Sequence, residues 1–293
     1  MDKKTNFIDI IIYVVIAVIL LTVLPILANM TNGGISSEPI SSEPISSEPI
    51  SSEPISSEPI PSYPTNVVVF KSDSPRTITP KYTQSGITLQ YSIDNGSTWT
   101  NISSGVTTAS SDEIWFRGRA TGAKSLYDSY VNSNAWAFSG NASNKLHVYG
   151  DLRYLLCNNL GDNTITFNIA NNCFSCMFYG CTSLTTAPSL PANTLANFCY
   201  RSMFYGCTSL TTVPSLPANT LANNCYQGMF YGCTSLKVSA TETGSYQYTW
   251  RIPTSGAGTT APEWNLDMLT DTGGTYTSNP NINTTYYVEN PPV

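Results

Sequence analysis

Asn171–Ala196 reads NNCFSCMFYGCTSLTTAPSLPANTLA, and Asn197–Ala222 reads NFCYRSMFYGCTSLTTVPSLPANTLA. The two segments differ at five of 26 positions, and a third copy begins at Asn223 and diverges after Lys237. Self-similarity at a fixed period indicates a repeat architecture, because one short copy cannot bury its apolar side chains alone and stacked copies can. The sequence therefore predicts stacked coils with a common core.

A short strand is predicted within each copy, at Leu184–Ala187 in the first, with Leu184, Ala187 and Leu190 facing inward. Alternating strand residues point to opposite faces, so the polar neighbours of these residues should face outward. The predicted binding face consists of Thr185, Thr186, Ser189, Thr211, Thr212 and Ser215. This face is uncharged and suits hydrogen bonding to a neutral glycan or peptide, and a merely solvated sheet is the alternative.

The segments MFYGCTSL at Met177–Leu184, Met203–Leu210 and Met229–Leu236 resemble the BspA-like leucine-rich repeats of bacterial surface proteins. The resemblance implies a short leucine-rich-repeat solenoid that adheres to host proteins, glycans or other cells. Because so few copies must be closed at both ends, Leu152–Ile169 is predicted to form the N-terminal cap and Ser245–Val293 the C-terminal cap.

Cysteine and tyrosine also recur with the repeat. Three cysteines share one repeat position and three share another, which favours two ladders of buried free thiols. Disulfides are the alternative in an extracellular protein. Zinc binding at Cys173 and Cys176 is the third and least favoured interpretation, because there is no second C-x-x-C pair to complete the site. The tyrosines Tyr179, Tyr205 and Tyr231 are expected to pack on the convex side beside phenylalanines, with sugar stacking as the alternative.

Residues 66–143 carry short β-branched and aromatic runs between turn residues, which predicts a small immunoglobulin-like β-sandwich. Asn95-Gly96 predicts a two-residue hairpin between strands at Thr88–Ile93 and Thr98–Ile102. Ser92–Trp99 is similar to the Asp-box hairpin of sialidases and other β-propellers, in which the box is structural. Asp94, Gly96 and Trp99 are therefore interpreted as a structural hairpin, because a propeller needs several blades and the chain has one box.

The N-terminal part is predicted to be an anchor and a spacer. Residues 1–30 contain a charge-free run, Ile10–Ala28, which is long enough for a transmembrane signal-anchor helix with a cytoplasmic N-terminus. A cleaved signal peptide and a pilin-like helix are the alternatives. Residues 31–65 contain five SSEPI copies, in which regular Pro disfavours helix and sheet, so a disordered, extended spacer is expected.

The distribution of charge and the histidine content exclude some classes of function. The net charge is −6, and −5 of it lies in the first 65 residues, so the head is almost neutral. A neutral head without basic runs argues against a nucleic-acid partner. His147 is the one histidine, which excludes multi-histidine metal sites.

The sequence thus predicts a mainly β, non-enzymatic protein without cofactor, catalytic residues or metal, divided into 1–30, 31–65, 66–143 and 144–293. Its expected location is the cell membrane, crossed once, with the head outside recognising an unknown extracellular protein or glycan. The alternative is a structural subunit of a pilus-like or virion appendage that displays the head.

Overall fold

The computed structural model describes residues 62–127, 135–157, 160 and 169–293. These residues are mainly β, as predicted, and all of them belong to one compact unit, Ile60–Val293. The predicted anchor and the SSEPI spacer, up to residue 61, lie outside the described residues. Within the described ranges, no helix is long and apolar enough to cross a membrane.

Eleven strands and one short 3₁₀ turn, Leu152–Leu155, are present in the described residues. In chain order the strands are β1 Val68–Arg76, β2 Ile78–Pro80, β3 Ile87–Ser92, β4 Thr100–Ile102, β5 Ser111–Ala120, β6 Trp136–Phe138, β7 Leu146–Tyr149, β8 Leu184–Thr186, β9 Val238–Ser239, β10 Tyr248–Arg251 and β11 Thr285–Val288.

The largest sheet has six strands in the order β4-β3-β5-β1-β7-β8. Adjacent strands in this sheet are antiparallel, except that β7 and β8 run parallel, with Leu146 opposite Leu184. One face is apolar because alternate residues of β5, including Ile114 and Phe116, are buried. Strand β7 pairs with β1 on one side and with β8 on the other, so this sheet crosses the predicted boundary between residues 143 and 144.

Two smaller sheets complete the β structure. Strands β2 and β6 form an antiparallel pair, and β11 lies between β10 and β9 near the C-terminus. At the end of β1, the buried Arg76 side chain donates to Ser183 Oγ at 3.0 Å and to the carbonyl of Asn144. Arg76 therefore connects the first part of the head to the first repeat.

The predicted convex side of each repeat, residues 172–181 in the first copy, is a ribbon of turns. Every second amide donates to the next copy, as Phe174 N does to Cys199 O at 2.8 Å. The intervening amides donate three residues back, as Ser175 N does to Asn172 O at 3.1 Å. Every fourth residue has a positive φ, for example 59° at Asn172 and 70° at Gly180. Such a ribbon satisfies its amides both locally and between copies.

The predicted strand at Leu184–Ala187 is confirmed as β8 in the first copy, with Leu184, Ala187 and Leu190 buried. The prediction is wrong for the second copy, in which Leu210–Val213 is not a regular strand. One backbone bond, from Thr211 N to Thr185 O at 3.2 Å, joins the second copy to β8 at this point.

A fourth coil follows the third copy. The alternate amides from Asn224 to Gly232 donate to carbonyls between Pro262 and Thr270, in the same pattern that joins the copies to one another. Thr220 forms a parallel bridge with Thr259, which is 39 residues later, whereas Thr194 and Thr220 are 26 apart. The interval between Thr220 and Thr259 contains β9 and β10. From sequence, this coil was predicted only as part of an undivided C-terminal cap, Ser245–Val293.

A single core runs through the head. The aromatic rings of Phe138, Phe178, Phe204 and Phe230 stack in a column with centroids 5.5 to 5.6 Å apart. Phe70 of β1 contacts this column at Phe178, and Trp250 of β10 contacts it at Phe230. The column therefore joins the first sheet, the repeats and the C-terminal sheet.

Seven of the eight cysteines are buried, and the six repeated cysteines are free thiols. The Sγ atoms of Cys207 and Cys233 donate to the carbonyls of Phe178 and Phe204 at 3.1 and 3.0 Å. Burial raises the pKa of each repeated thiol, to about 12 at Cys225 and Cys233. The predicted ladders of buried thiols are present.

Candidate binding face

The predicted binding face begins at the junction of β7 and β8. Thr186 Oγ1 lies 2.9 Å from Nδ1 of His147, and both side chains are half-buried. Burial lowers the pKa of His147 below its ordinary value, so the imidazole is neutral at pH 7. This pair of neutral polar groups connects the repeat strand to the outer face of the six-stranded sheet.

The threonines of the second repeat partly satisfy the backbone. Thr212 Oγ1 accepts a hydrogen bond from Ala187 N at 3.3 Å, and Thr211 Oγ1 donates to Thr185 O at 3.4 Å. Thr185, Thr186, Ser189, Thr211, Thr212 and Ser215 are all half-buried. The face is therefore polar and accessible, but some of its hydroxyls already bond within the protein.

The C-terminal tail lies along the second repeat. Val293 N donates to Val213 O at 3.0 Å, and Val293 O accepts from Ser215 N at 2.7 Å. Asn290 Nδ2 donates to Thr211 O at 3.1 Å. The tail thus occupies the place that the strand of a complete third copy would take. The divergence of the third copy after Lys237 was the one sequence signal for this vacant edge.

Beyond β7, the outer face of the sheet carries a row of hydrogen-bonded polar side chains. Gln90 Nε2 donates to Asn101 Oδ1 at 2.9 Å, and Gln90 Oε1 accepts from Arg117 Nε at 2.9 Å. The Arg117 guanidinium lies 4.0 Å from the centre of the Trp99 ring. The row is ordered by its own contacts and presents amides and one cation to solvent.

An aromatic cluster lies between this row and the repeat strand. The Tyr63 ring is 6.1 Å from Trp115 and 5.3 Å from Tyr149. Trp115 Nε1 donates to Glu113 Oε1 at 2.7 Å, and Tyr63 OH donates to Glu113 Oε2 at 3.4 Å. Burial and the nearby Glu113 carboxylate raise the pKa of Tyr63. Tyr63 was predicted to belong to the spacer at 31–65, because no local sequence pattern distinguishes it from the residues before it.

The Asp-box segment forms a compact hairpin. The Asp94 carboxylate accepts from Ser92 Oγ at 2.6 Å and from the amide and hydroxyl of Thr98 at 2.9 and 2.6 Å. These hydrogen bonds lower the pKa of Asp94 to about 2. Trp99 Nε1 donates to Gly96 O at 2.9 Å. The Asp94 carboxylate is thus held ionised by its own loop and is poorly suited to general acid catalysis.

The loop of this hairpin is longer than predicted. Asn95 and Gly96 both have positive φ, and Ser97 N donates to Asp94 O at 3.2 Å, which is the expected turn. Pairing nevertheless stops at Tyr91 and Thr100, so the prediction of a two-residue hairpin was wrong. The contacts of Asp94 and Trp99 hold the intervening residues in a loop instead of in the ladder.

The tyrosine ladder lies at the surface of the repeats. Tyr179 and Tyr205 are stacked at 4.7 Å, and Tyr205 and Tyr231 at 4.6 Å, with nearly parallel rings. A sugar stacks on a ring face, and the inner faces of this ladder are occupied by neighbouring rings. Sugar stacking along the ladder is thus disfavoured.

The described residues contain no group of three or more His, Cys, Asp or Glu side chains that could hold a metal ion. The chain matches no protein-family model, and no curated protein or solved structure is significantly similar to it.

Proposed function

We propose that this protein is a membrane-anchored binding protein, displayed at the cell surface, that recognises an extracellular protein or glycan through its head. In this proposal residues 1–30 anchor the chain, residues 31–65 hold the head away from the membrane, and residues 66–143 and 144–293 form an immunoglobulin-like sandwich and a BspA-like leucine-rich-repeat solenoid. The stacked coils with alternating inter-copy hydrogen bonds support the solenoid, and the resemblance of MFYGCTSL supports its assignment to the BspA-like class.

One observation carries the binding function. The outer face of the six-stranded sheet continues from the polar row at Gln90, past the aromatic cluster, to the predicted repeat face at Thr186. This face mixes aromatic rings, amides and hydroxyls, and aromatic residues are enriched in the centres of protein interfaces. Because the polar side chains are already ordered by their own hydrogen bonds, less conformational entropy is lost when a partner binds.

The test is binding by the full-length chain in detergent micelles to panels of glycans and extracellular proteins. His147→Ala and Gln90→Ala change the two ends of the face, and Arg201→Ala changes an exposed residue on the convex side. We expect the two face variants to weaken binding at least about tenfold, which corresponds to ~1.4 kcal/mol, with no change for Arg201→Ala.

Two outcomes would reject the proposal in different ways. A protein that binds no member of either panel is not an adhesin. If Arg201→Ala weakens binding and neither face variant does, the protein binds through its convex side instead. Extraction of the intact chain only with detergent is the expected result for a retained anchor, whereas filaments seen by electron microscopy would favour the pilus-like or virion appendage.

A further inference from the structure

A shallow cleft of about 200 Å³ lies at the C-terminal end of the predicted repeat face. It is formed where the second repeat meets the C-terminal sheet and the tail. Its lining includes Ser215, Thr249, Arg251, Thr254, Thr285 and Pro292. Ser215 is one of the residues predicted from sequence, and the others come from segments distant in the chain.

Arg251 gives the cleft a positive charge. One guanidinium nitrogen donates to Pro253 O at 2.7 Å, and the other terminal nitrogen donates to Asn283 Oδ1 at 3.3 Å. These two acceptors are neutral and use two of the five N–H groups of arginine. Among the described residues, the ion pairs are Arg153 with Asp151 and Lys237 with Glu289, so Arg251 has no carboxylate partner there.

The guanidinium is also held in place. Arg251 lies on β10 opposite Thr285 of β11, and its neighbour Trp250 is buried, with Nε1 donating to Pro214 O at 3.2 Å. The side chain of Arg251 is half-buried, and both of its protein contacts fix the plane of the guanidinium. A fixed planar cation with free N–H groups is suited to bidentate binding of a carboxylate.

Residues with hydroxyl groups line the same cleft. Thr249, Thr254 and Thr285 are exposed, and Ser215 is half-buried. A hydroxyl both donates and accepts hydrogen bonds, which matches the mixed donors and acceptors of a sugar ring. The volume is below the range of about 300–1,000 Å³ that is typical of drug-sized ligands, so the cleft suits a single ring. Pro292 and the edge of Trp250 add a small apolar surface.

We propose that this cleft binds a carboxylate-bearing sugar unit of a glycan, with Arg251 contacting the carboxylate and the surrounding hydroxyls contacting the ring. This inference rests on the proposed binding function and names the class of ligand at one end of the face. The neutral part of the face would then contact the rest of the glycan.

The test uses the full-length chain in detergent micelles and two acidic probes, immobilised 3′-sialyllactose and a glucuronate-terminated disaccharide. Lactose and cellobiose are the neutral counterparts. Arg251→Gln removes the charge and keeps a hydrogen-bonding side chain, and Thr285→Val removes one exposed hydroxyl without changing the branching at Cβ. Arg201→Gln is the matched control, because it removes one exposed arginine from the convex side.

We expect the wild-type chain to bind at least one acidic probe more tightly than its neutral counterpart. Arg251→Gln should weaken that binding at least about tenfold, because hydrogen bonds to a charged group are among the stronger ones. Thr285→Val should weaken it by a smaller factor, and Arg201→Gln should leave it unchanged. Thermal unfolding of each variant shows whether it is folded, and Thr285→Val tests the cleft if Arg251→Gln is not.

Three results would overturn the inference. Equal affinity of the wild-type chain for acidic and neutral sugars would remove the carboxylate from the proposal, while binding through the rest of the face could still be intact. An immobilised Glu-rich peptide is included as a probe with carboxylates and no sugar, and its retention together with that of neither sugar acid would make the ligand a protein segment. Unchanged binding in both cleft variants, with loss in His147→Ala, would place recognition elsewhere on the face.

Discussion

The three repeat copies and the fourth coil have the same backbone pattern but different side chains. From residue 262 to residue 272, the fourth coil keeps only Met268 in common with the aligned part of the third copy. Glu263, Asp267 and Asp271 nevertheless have φ of 50°, 56° and 58°, at the positions where the third copy has Asn224, Gly228 and Gly232. The coils thus share the backbone pattern, in which every fourth residue has a positive φ and the amides alternate between local and inter-coil hydrogen bonds.

This divergence in sequence shows which parts of the repeat are needed to form a coil. The two cysteine positions of the copies are occupied by Trp264 and Thr272 in the fourth coil, and both residues are buried there. The pair Met229 and Phe230 becomes Met268 and Leu269, which are also buried. Buried groups at these positions and residues that accept positive φ are therefore sufficient, and the Cys and Phe ladders are one way to provide the first.

The largest expected effect comes from the aromatic column. Phe204 is fully buried between Phe178 and Phe230, with centroids 5.6 Å from each. Phe204→Ala should lower the free energy of unfolding by about 3–5 kcal/mol, because it leaves a cavity in the middle of the stack. Met268→Ala in the fourth coil should cost less, about 2–3 kcal/mol, because the end of a stack can collapse more easily. Urea denaturation of the full chain measures both.

Tyr205→Ala is the control for this pair, since Tyr205 is stacked but lies at the surface. We expect a loss below about 1.5 kcal/mol. A larger loss from Met268→Ala than from Phe204→Ala would reverse the comparison and make the fourth coil the more important part of the core.

The next effect concerns the contact between the third copy and the fourth coil. A Cβ atom added at Gly273 would lie 2.0 Å from Thr234 O, and the φ of Gly273 is not positive. Gly273→Ala should therefore destabilise the protein by about 2–3 kcal/mol through overpacking. Thermal and urea unfolding measure the change.

Gly180→Ala separates the steric effect from the backbone effect. Gly180 has a φ of 70°, and a Cβ atom added there would point into open space, so only the conformational cost of about 1 kcal/mol is expected. Equal losses from Gly273→Ala and Gly180→Ala would show that the close approach at Gly273 relaxes at little cost.

Alkaline pH should lower the stability of the protein through the buried cysteines of the copies, which the fourth coil lacks. Burial raises the pKa of Cys225 and Cys233 to about 12, whereas a thiol in the unfolded chain titrates near a pKa of about 8.5. Between these values the unfolded state releases protons that the folded state keeps, so stability is complete below about pH 8.5 and falls as pH rises. Each thiol contributes at most about 1.4 kcal/mol per pH unit in this range.

Urea denaturation under reducing conditions at about pH 8 and about pH 10 tests this slope. Cys233→Ala should make the loss of stability smaller by the contribution of one thiol. The matched control is Thr272→Val, at the equivalent position of the fourth coil, which should leave the slope unchanged. A slope that is the same in all three proteins would assign the alkaline sensitivity to other groups.

The smallest effects concern the positive-φ positions. Gly232→Ala introduces a Cβ in ordinary van der Waals contact at a φ of 71°, so a loss of about 1 kcal/mol is expected. Asp267→Gly makes the reverse change in the fourth coil at a φ of 56°, and we expect stability to change by less than about 1 kcal/mol, because the relieved strain offsets the greater freedom of glycine in the unfolded chain. Calorimetry can resolve such differences, and a larger loss from Asp267→Gly would show that its side chain has a contact role.

Several features were predictable because they depend on short spacings. The repeat gave the position of β8, the inward residues Leu184, Ala187 and Leu190, and the two ladders of buried cysteines. The Asn95-Gly96 turn was predictable because both residues accept positive φ. The length of the loop in that hairpin was not predictable, since it depends on the contacts of Asp94 and Trp99.

Other features join residues that are far apart in the chain. The fourth coil has almost no sequence identity with the copies and follows an insertion, so its period is hidden. The tail at Val293 pairs with the second repeat, and Tyr63 packs against Trp115 and Tyr149. No local pattern encodes such pairings, because a vacant edge or a gap between rings exists only after the rest of the head has folded.

Residue spacing and side-chain polarity are enough to predict the stacking of the 26-residue copies, the mainly β class and the polar character of the repeat face. Only the folded chain shows that β7 joins the first sheet to β8, that the Phe column contacts both Phe70 and Trp250, and that Arg251 and Ser215 line one cleft. Burial of apolar surface is non-directional, so it requires a shared core without specifying which distant segments supply it.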